Sequence, residues 1–214
     1  MNSSLTNGRP QKTSKSDTPL NTIQYGLCLS LTTCMTIILP NILSLLQHTD
    51  TLRKEPESYR PKSCPGCRHT IVWCHGCYSR KADRRDLNES PESIPIPRFY
   101  CPECDSTCSV LPECIPPRSW YLWKVRQIIF LLLLAGNSVG RTVAVNGSRV
   151  RRQTVQRWWR RFQDCYSDYS FHLRNHFPWL GRHTEFADFW TKYLASMPLS
   201  MVMRLLHEDG RFVP

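Results

Sequence analysis

Cys64-Pro65-Gly66-Cys67 and Cys101-Pro102-Glu103-Cys104 decide how this chain is read, with 33 residues between them. Each is a C-x₂-C pair, and two such pairs can set four thiolates at the corners of a tetrahedron, the arrangement of a closed structural zinc site. The two-residue spacing lets a tight turn aim both sulfurs at one ion, with Gly66 available for a positive φ. The long intervening loop costs closure entropy, but that cost grows only logarithmically with length. The paired spacing favours metal over the alternatives, ordinary reduced thiols or a disulfide. Short strands are expected beside the pairs, over Ile71–Trp73, Ile94–Tyr100 and Thr107–Leu111. Pro95 and Pro97 bar helix in the second. Arg80–Arg85 reads as a basic turn and residues 86–93 as an acidic Ser/Pro loop. The expectation for residues 63–117 is a zinc ribbon, folded largely by its structural Zn²⁺.

The chain has 214 residues and a formal net charge of +11, which points to an anionic partner, nucleic acid or an acidic membrane surface. Its cysteines number eleven, an odd count grouped in C-x₂-C pairs, which reads as metal binding in a reducing compartment rather than a disulfide framework. Cys74 and Cys77 form a third pair around His75-Gly76. They could replace Cys64 and Cys67, join Cys108 and Cys114 in a second site, or all four could be plain buried thiols.

Residues 1–20 are polar and cannot build a core, so disorder is expected there. Residues 18–47 carry no Asp, Glu, Lys or Arg, and Leu27–Leu46 is mostly apolar. Its length invites a membrane-span reading, but Pro40 and several Thr and Asn residues interrupt it. A helical hairpin or a loosely packed appendage is the favoured reading; a natural start downstream, for example at Met35, is a further one. Residues 49–63 have the composition of a linker, so residues 1–62 are taken as N-terminal segment plus linker.

Residues 118–163 read as three helices. Ser119 can cap the first, apolar through Trp120, Trp123, Ile128, Phe130, Leu131 and Leu134, and Gly136 can end it. Ser138 can cap a short second helix bearing Val139 and Val143; Asn146-Gly147 marks a turn. The third, Arg151–Phe162, carries the functional signal. Val155, Trp158, Trp159 and Phe162 share one face; Gln153, Gln156, Arg157 and Arg160 share the opposite one. Amides and guanidiniums are the groups that read adenine and guanine edges in the major groove. From Ser119 to Phe162 there are nine Lys/Arg and no Asp or Glu. A solvated face would normally mix both signs. Core helix, short helix, turn and basic helix is the layout of a helix-turn-helix.

Residues 64–162 resemble the zinc-ribbon plus helix-turn-helix proteins found with bacterial insertion sequences, close to the DUF6431-type family. The matching residues are Cys64-Pro65-Gly66-Cys67, His75-Gly76-Cys77-Tyr78-Ser79-Arg80-Lys81, Ile96-Pro97-Arg98-Phe99-Tyr100, Cys101-Pro102-Glu103-Cys104, Ser109-Val110-Leu111-Pro112 and Thr154-Val155-Gln156-Arg157-Trp158. The resemblance implies zinc on the two outer pairs and DNA binding linked to transposition, with a separate transposase subunit as a further partner. The turn before the third helix is about two residues longer than the tight form, and Gly140 sits inside the short second helix.

Residues 164–214 are aromatic-rich, with helices expected near Glu185–Ser196 and Leu199–His207. Asp164, Asp168, Glu185, Asp188, Glu208 and Asp209 read as solvated acids, because the stretch is too short for a carboxylate-based nuclease domain. The chain is therefore expected to be an α+β, cytoplasmic, non-enzymatic binder of double-stranded DNA. Gln153, Gln156 and Arg157 would meet base edges. Arg149, Arg151, Arg152, Arg160 and Arg161 would meet phosphates, and Thr154 lies among them. Its rivals are a basic protein anchored in a membrane by residues 22–46, a thiol redox enzyme, for which no βαβ pattern is present, and a decayed transposase fragment.

Overall fold

Ile94-Pro95-Ile96-Pro97 cannot be helical, and it begins the strand around which the sheet assembles. The computed structural model describes residues 35–81, 93–147 and 150–213. Among them, strands β1 (Met35–Leu39), β2 (Trp73–Arg80), β3 (Ile94–Cys101) and β4 (Ser106–Pro112) form one sheet in the order β1-β4-β3-β2. Strand β3 pairs antiparallel with β2 and β4, and β1 pairs parallel with β4. Two prolines in a central strand would normally break a ladder. Here β4 pairs only with Arg98–Cys101, so Pro95 and Pro97 fall in the half of β3 that ladders with β2 alone.

The described part of the N-terminal region corrects the hairpin-or-appendage expectation. Residues 35–39 are a sheet strand, in register from Met35 opposite Cys108 to Leu39 opposite Pro112. The linker expectation over 49–63 is corrected as well. Helix α1 (Leu45–Lys54) starts at Ser44, whose hydroxyl accepts from the Gln47 N–H, and a 3₁₀ turn follows at Pro56–Tyr59. Residues 1–34, which contain the predicted disordered tail and most of the uncharged run, lie outside the described residues, as do residues 82–92. No helix among the described residues is long and apolar enough to cross a membrane.

Fully buried His48 fastens α1 to the sheet. Its Nε2 lies 2.9 Å from the Pro95 carbonyl and its Nδ1 lies 2.5 Å from the Tyr59 hydroxyl. A carbonyl only accepts, so Nε2 carries the proton and Nδ1 accepts from Tyr59. Burial lowers the His48 pKa below 6.5, partly offset by the Pro95 hydrogen bond. The unfolded chain therefore takes the proton first. His48 contributes stability fully above about pH 6.5, and that contribution is lost as pH falls through the folded-state pKa. Urea midpoints of wild type and His48→Gln should differ most above pH 7 and converge on acidification; a constant gap would exclude this role.

The other helices are α2 (Trp123–Leu134), α3 (Val139–Val145), α4 (Arg152–Asp164), α5 (Tyr166–His176), α6 (Phe186–Ser196) and α7 (Leu199–Glu208). Ser119 does not cap α2: Leu122 holds that place, while the Ser119 hydroxyl accepts from the Arg126 guanidinium at 2.6 Å. At the other end Gly136, with φ 83°, closes α2 as expected, its N–H reaching the Leu133 carbonyl. Ser138 caps α3. Helices α6 and α7 lie where the sequence places them, whereas α5 was not foreseen.

The helices share one core. Phe162 of α4 is fully buried, stacked 4.3 Å from Phe130 of α2 and tilted against Trp190 of α6 at 4.2 Å. Arg126 of α2 lies 4.5 Å over Trp158 of α4, a cation–π contact that fixes the same pair of helices. Helix α7 ties this core to the sheet. Arg204 pairs with buried Glu113 at 3.2 Å, Glu113 also accepts from Ser200 and the Asn41 N–H, and His207 meets the Thr36 carbonyl.

Candidate functional site

The two outer cysteine pairs end in the same local conformation. After Cys67, Arg68 takes φ 66°; after Cys104, Asp105 takes φ 52°. In the first turn the Arg68 N–H reaches the Cys64 carbonyl at 2.9 Å, and the Cys64 N–H reaches the His69 carbonyl at 2.8 Å. In the second, the Tyr100 hydroxyl holds the Asp105 carboxylate at 2.9 Å. The expectation that Gly66 supplies a positive φ is corrected, since the left-handed residue is Arg68. A Cβ at Gly66 would lie 2.8 Å from the Met35 terminal methyl, the movable end of a flexible side chain. Strand β1 thus packs directly on the first turn.

These turns bring Cys64, Cys67, Cys101 and Cys104 together, with all four sulfurs within 4.8 Å of one another. Cys64 lies 3.6 Å from Cys104, and Cys67 lies 3.5 Å from Cys101. A tetrahedron with metal–sulfur bonds of about 2.3 Å has edges of roughly 3.8 Å, so the spacing suits one ion. Cys64 and Cys101 are buried, Cys104 is half-buried and Cys67 is exposed. The four cysteines lie close enough to hold a metal ion.

The thiols also bear on one another electrostatically. Burial opposes ionisation of Cys64, but the Cys67 and Gly66 N–H groups, with the Cys104 and Cys101 thiols, outweigh it and hold Cys64 down to about 7. The His69 N–H favours the Cys67 thiolate. Desolvation and the Cys101, Cys104 and Cys64 thiols oppose it and push Cys67 up to about 12. One thiolate forms readily and the next does not, because negative charge accumulates. A bound cation removes that obstacle and releases the remaining protons.

The third C-x₂-C pair stands apart. Cys74 faces Phe99 and Cys77 faces Pro97, so His75 and Gly76 together oppose Arg98 alone. That is a β-bulge, with Gly76 at φ 78°. Cys74 and Cys77 are exposed on β2, while Cys108 and Cys114 are buried in separate apolar clusters. Among the described residues only the four outer cysteines form a group of metal-binding geometry. The bulge also explains why β2 runs on from Trp73 to Arg80, where the sequence suggested a strand ending at Trp73.

Helix α4 presents the second set of predicted residues. Val155, Trp158 and Phe162 are buried, and Arg151, Arg152, Gln153, Gln156, Arg157, Arg160 and Arg161 are exposed. Thr154 is half-buried. Arg149 lies outside the described residues. Gln153, Gln156, Arg157, Arg160 and Arg161 line one open cavity of about 520 Å³, with Asp164 at its end. Arg161 also lies 4.1 Å over the Phe212 ring. Sequence periodicity could not reveal Arg98 and Arg118, which line a neighbouring groove from β3 and a proline-rich loop.

A family model described as Domain of unknown function (DUF6431) matches residues 64–158, from the first cysteine of the cluster to Trp158 of α4. Over those residues the chain is similar to that family. No curated protein and no solved structure matches the chain.

Proposed function

We propose that this protein binds double-stranded DNA through α4, and that a structural Zn²⁺ held by Cys64, Cys67, Cys101 and Cys104 shapes the adjoining sheet. The carrying observation is the exposed side of α4 and its N-cap Arg151, where two amides and five guanidiniums stand over the buried Val155, Trp158 and Phe162. Gln153, Gln156 and Arg157 have the donor and acceptor groups for base edges; Arg151, Arg152, Arg160 and Arg161 supply charge for phosphates. Helices α2, α3 and α4 act in this reading as a helix-turn-helix, with a long connection of residues 146–151 before the reading helix. Zinc is the assigned metal because an all-thiolate tetrahedral set suits it. The protein acts as a binding module, working in DNA transposition beside a separate transposase. That link rests on the motif resemblance.

The test is a salt titration of binding to duplex DNA. The expected plot of log affinity against log salt falls steeply, by about 0.9 per phosphate contact. Arg160→Gln with Arg161→Gln should flatten it by about 2, with affinity lost on every sequence alike. A flat wild-type plot rejects the reading.

A further inference from the structure

Two open grooves meet at the loop Pro116–Tyr121. One, of about 660 Å³, is walled by Arg151 and by Arg157 and Arg161 of α4; the other, of about 760 Å³, by Arg80 and Arg98 of the sheet and by Lys81 just past β2. Arg118, Ser119 and Trp120 belong to both walls, so the loop borders both grooves. Among the described residues no Asp or Glu lines either one.

The loop is held in place from beneath. The Arg80 guanidinium donates to the Pro116 carbonyl at 2.7 Å and to the Ser119 carbonyl, and Arg126 donates to the Ser119 hydroxyl at 2.6 Å. At its crest, exposed Arg118 sits at φ 55°. A left-handed backbone is costly for a residue with a Cβ. Glycine would remove that cost, yet the position carries a cation, placed where the two grooves join.

We propose that the DNA held by α4 continues across this loop onto the sheet, where Arg118, Arg98 and Lys81 hold its phosphates as a second, sequence-independent contact. The proposal rests on the DNA-binding reading of α4 and extends it. The partner is a duplex long enough to leave the recognition helix, because the described residues on both sides of the loop bring guanidiniums and an ammonium to the walls, which suit a line of phosphates. Arg98 is steadied for this by the Thr107 hydroxyl at 3.0 Å. The sheet folded by the cysteine cluster thereby becomes part of the binding surface.

Arg118→Gly is the informative variant, since glycine accepts the left-handed backbone and only the cation is lost. On a long duplex, of about thirty base pairs, its log–log salt slope should be shallower than wild type by about 1, and by about 3 when Lys81→Gln and Arg98→Gln are added. On a duplex of about ten base pairs, too short to leave α4, the slopes should agree. Arg157→Gln serves as the control on α4. If it weakens binding while Arg118→Gly and the triple variant keep the wild-type slope on long DNA, the extension is overturned and the α4 reading stands. If the wild-type slope is flat as well, both fall.

Discussion

Cys64→Ser and Cys101→Ser, each alone, are expected to abolish stoichiometric metal binding and with it the folded state of the sheet. Both sulfurs are almost wholly buried, and they come from opposite ends of the span that the cluster closes. Residues 64–67 precede β2, and residues 101–104 join β3 to β4. Without an ion nothing in the cluster offsets the closure entropy of that span, which then falls on the apolar cluster of Tyr59, Val72, Phe99 and Val110 alone. Structural zinc contributes about 10–16 kcal/mol in small domains, comparable to the whole stability of an ordinary one. Serine keeps the size but not the soft ligand. The expected result is loss of bound metal and of cooperative unfolding, or recovery only as insoluble protein. Cys74→Ser and Cys77→Ser should do neither, because both lie on the exposed bulge. Equal metal content in all four variants would refute the assignment.

The second large effect concerns the join between the sheet and the C-terminal helices. Glu113 is 3% exposed and takes hydrogen bonds from Arg204, Ser200 and the Asn41 N–H. Glu113→Ala leaves the Arg204 guanidinium beside a buried gap and the Asn41 amide without its acceptor. Breaking a buried pair from one side costs about 3–5 kcal/mol, chiefly through the charge left behind. Arg204 keeps Glu208 at 2.6 Å on its outer side, which places the expected loss nearer 3 than 5 kcal/mol. Glu113→Leu combined with Arg204→Leu should recover much of it, since no charge is then stranded. Chemical denaturation checks both variants. A Glu113→Ala midpoint like that of wild type would mean that α7 docks by its apolar face alone.

What could be seen in the sequence follows from how local each determinant is. The two C-P-x-C turns are self-contained, so their convergence was legible before any strand was placed. Helix α4 was legible from its 3.6-residue stripe, and α3 from Ser138. Strand β1 was not, because its partner β4 lies about seventy residues further on and a parallel pair has no hairpin turn to announce it. Its apolar residues were absorbed into the uncharged run before it. Helix α1 mixes Gln, His, Thr, Asp, Arg and Lys, so its composition resembled a linker; the buried face is little more than Leu45 and His48. Helix α5 was hidden among aromatic residues spread around it, and Gly76 disguised β2 by interrupting its alternation with a bulge. Glu113 and Arg118 gain their roles only from contacts made across the fold.

X-ray absorption at the zinc edge of the purified full-length protein examines the four-cysteine centre most directly. The account predicts one zinc per chain with four sulfur neighbours at about 2.3 Å and no nitrogen or oxygen in the first shell. Zinc bound with histidine or water among its ligands, or folded protein that carries no metal, would contradict it.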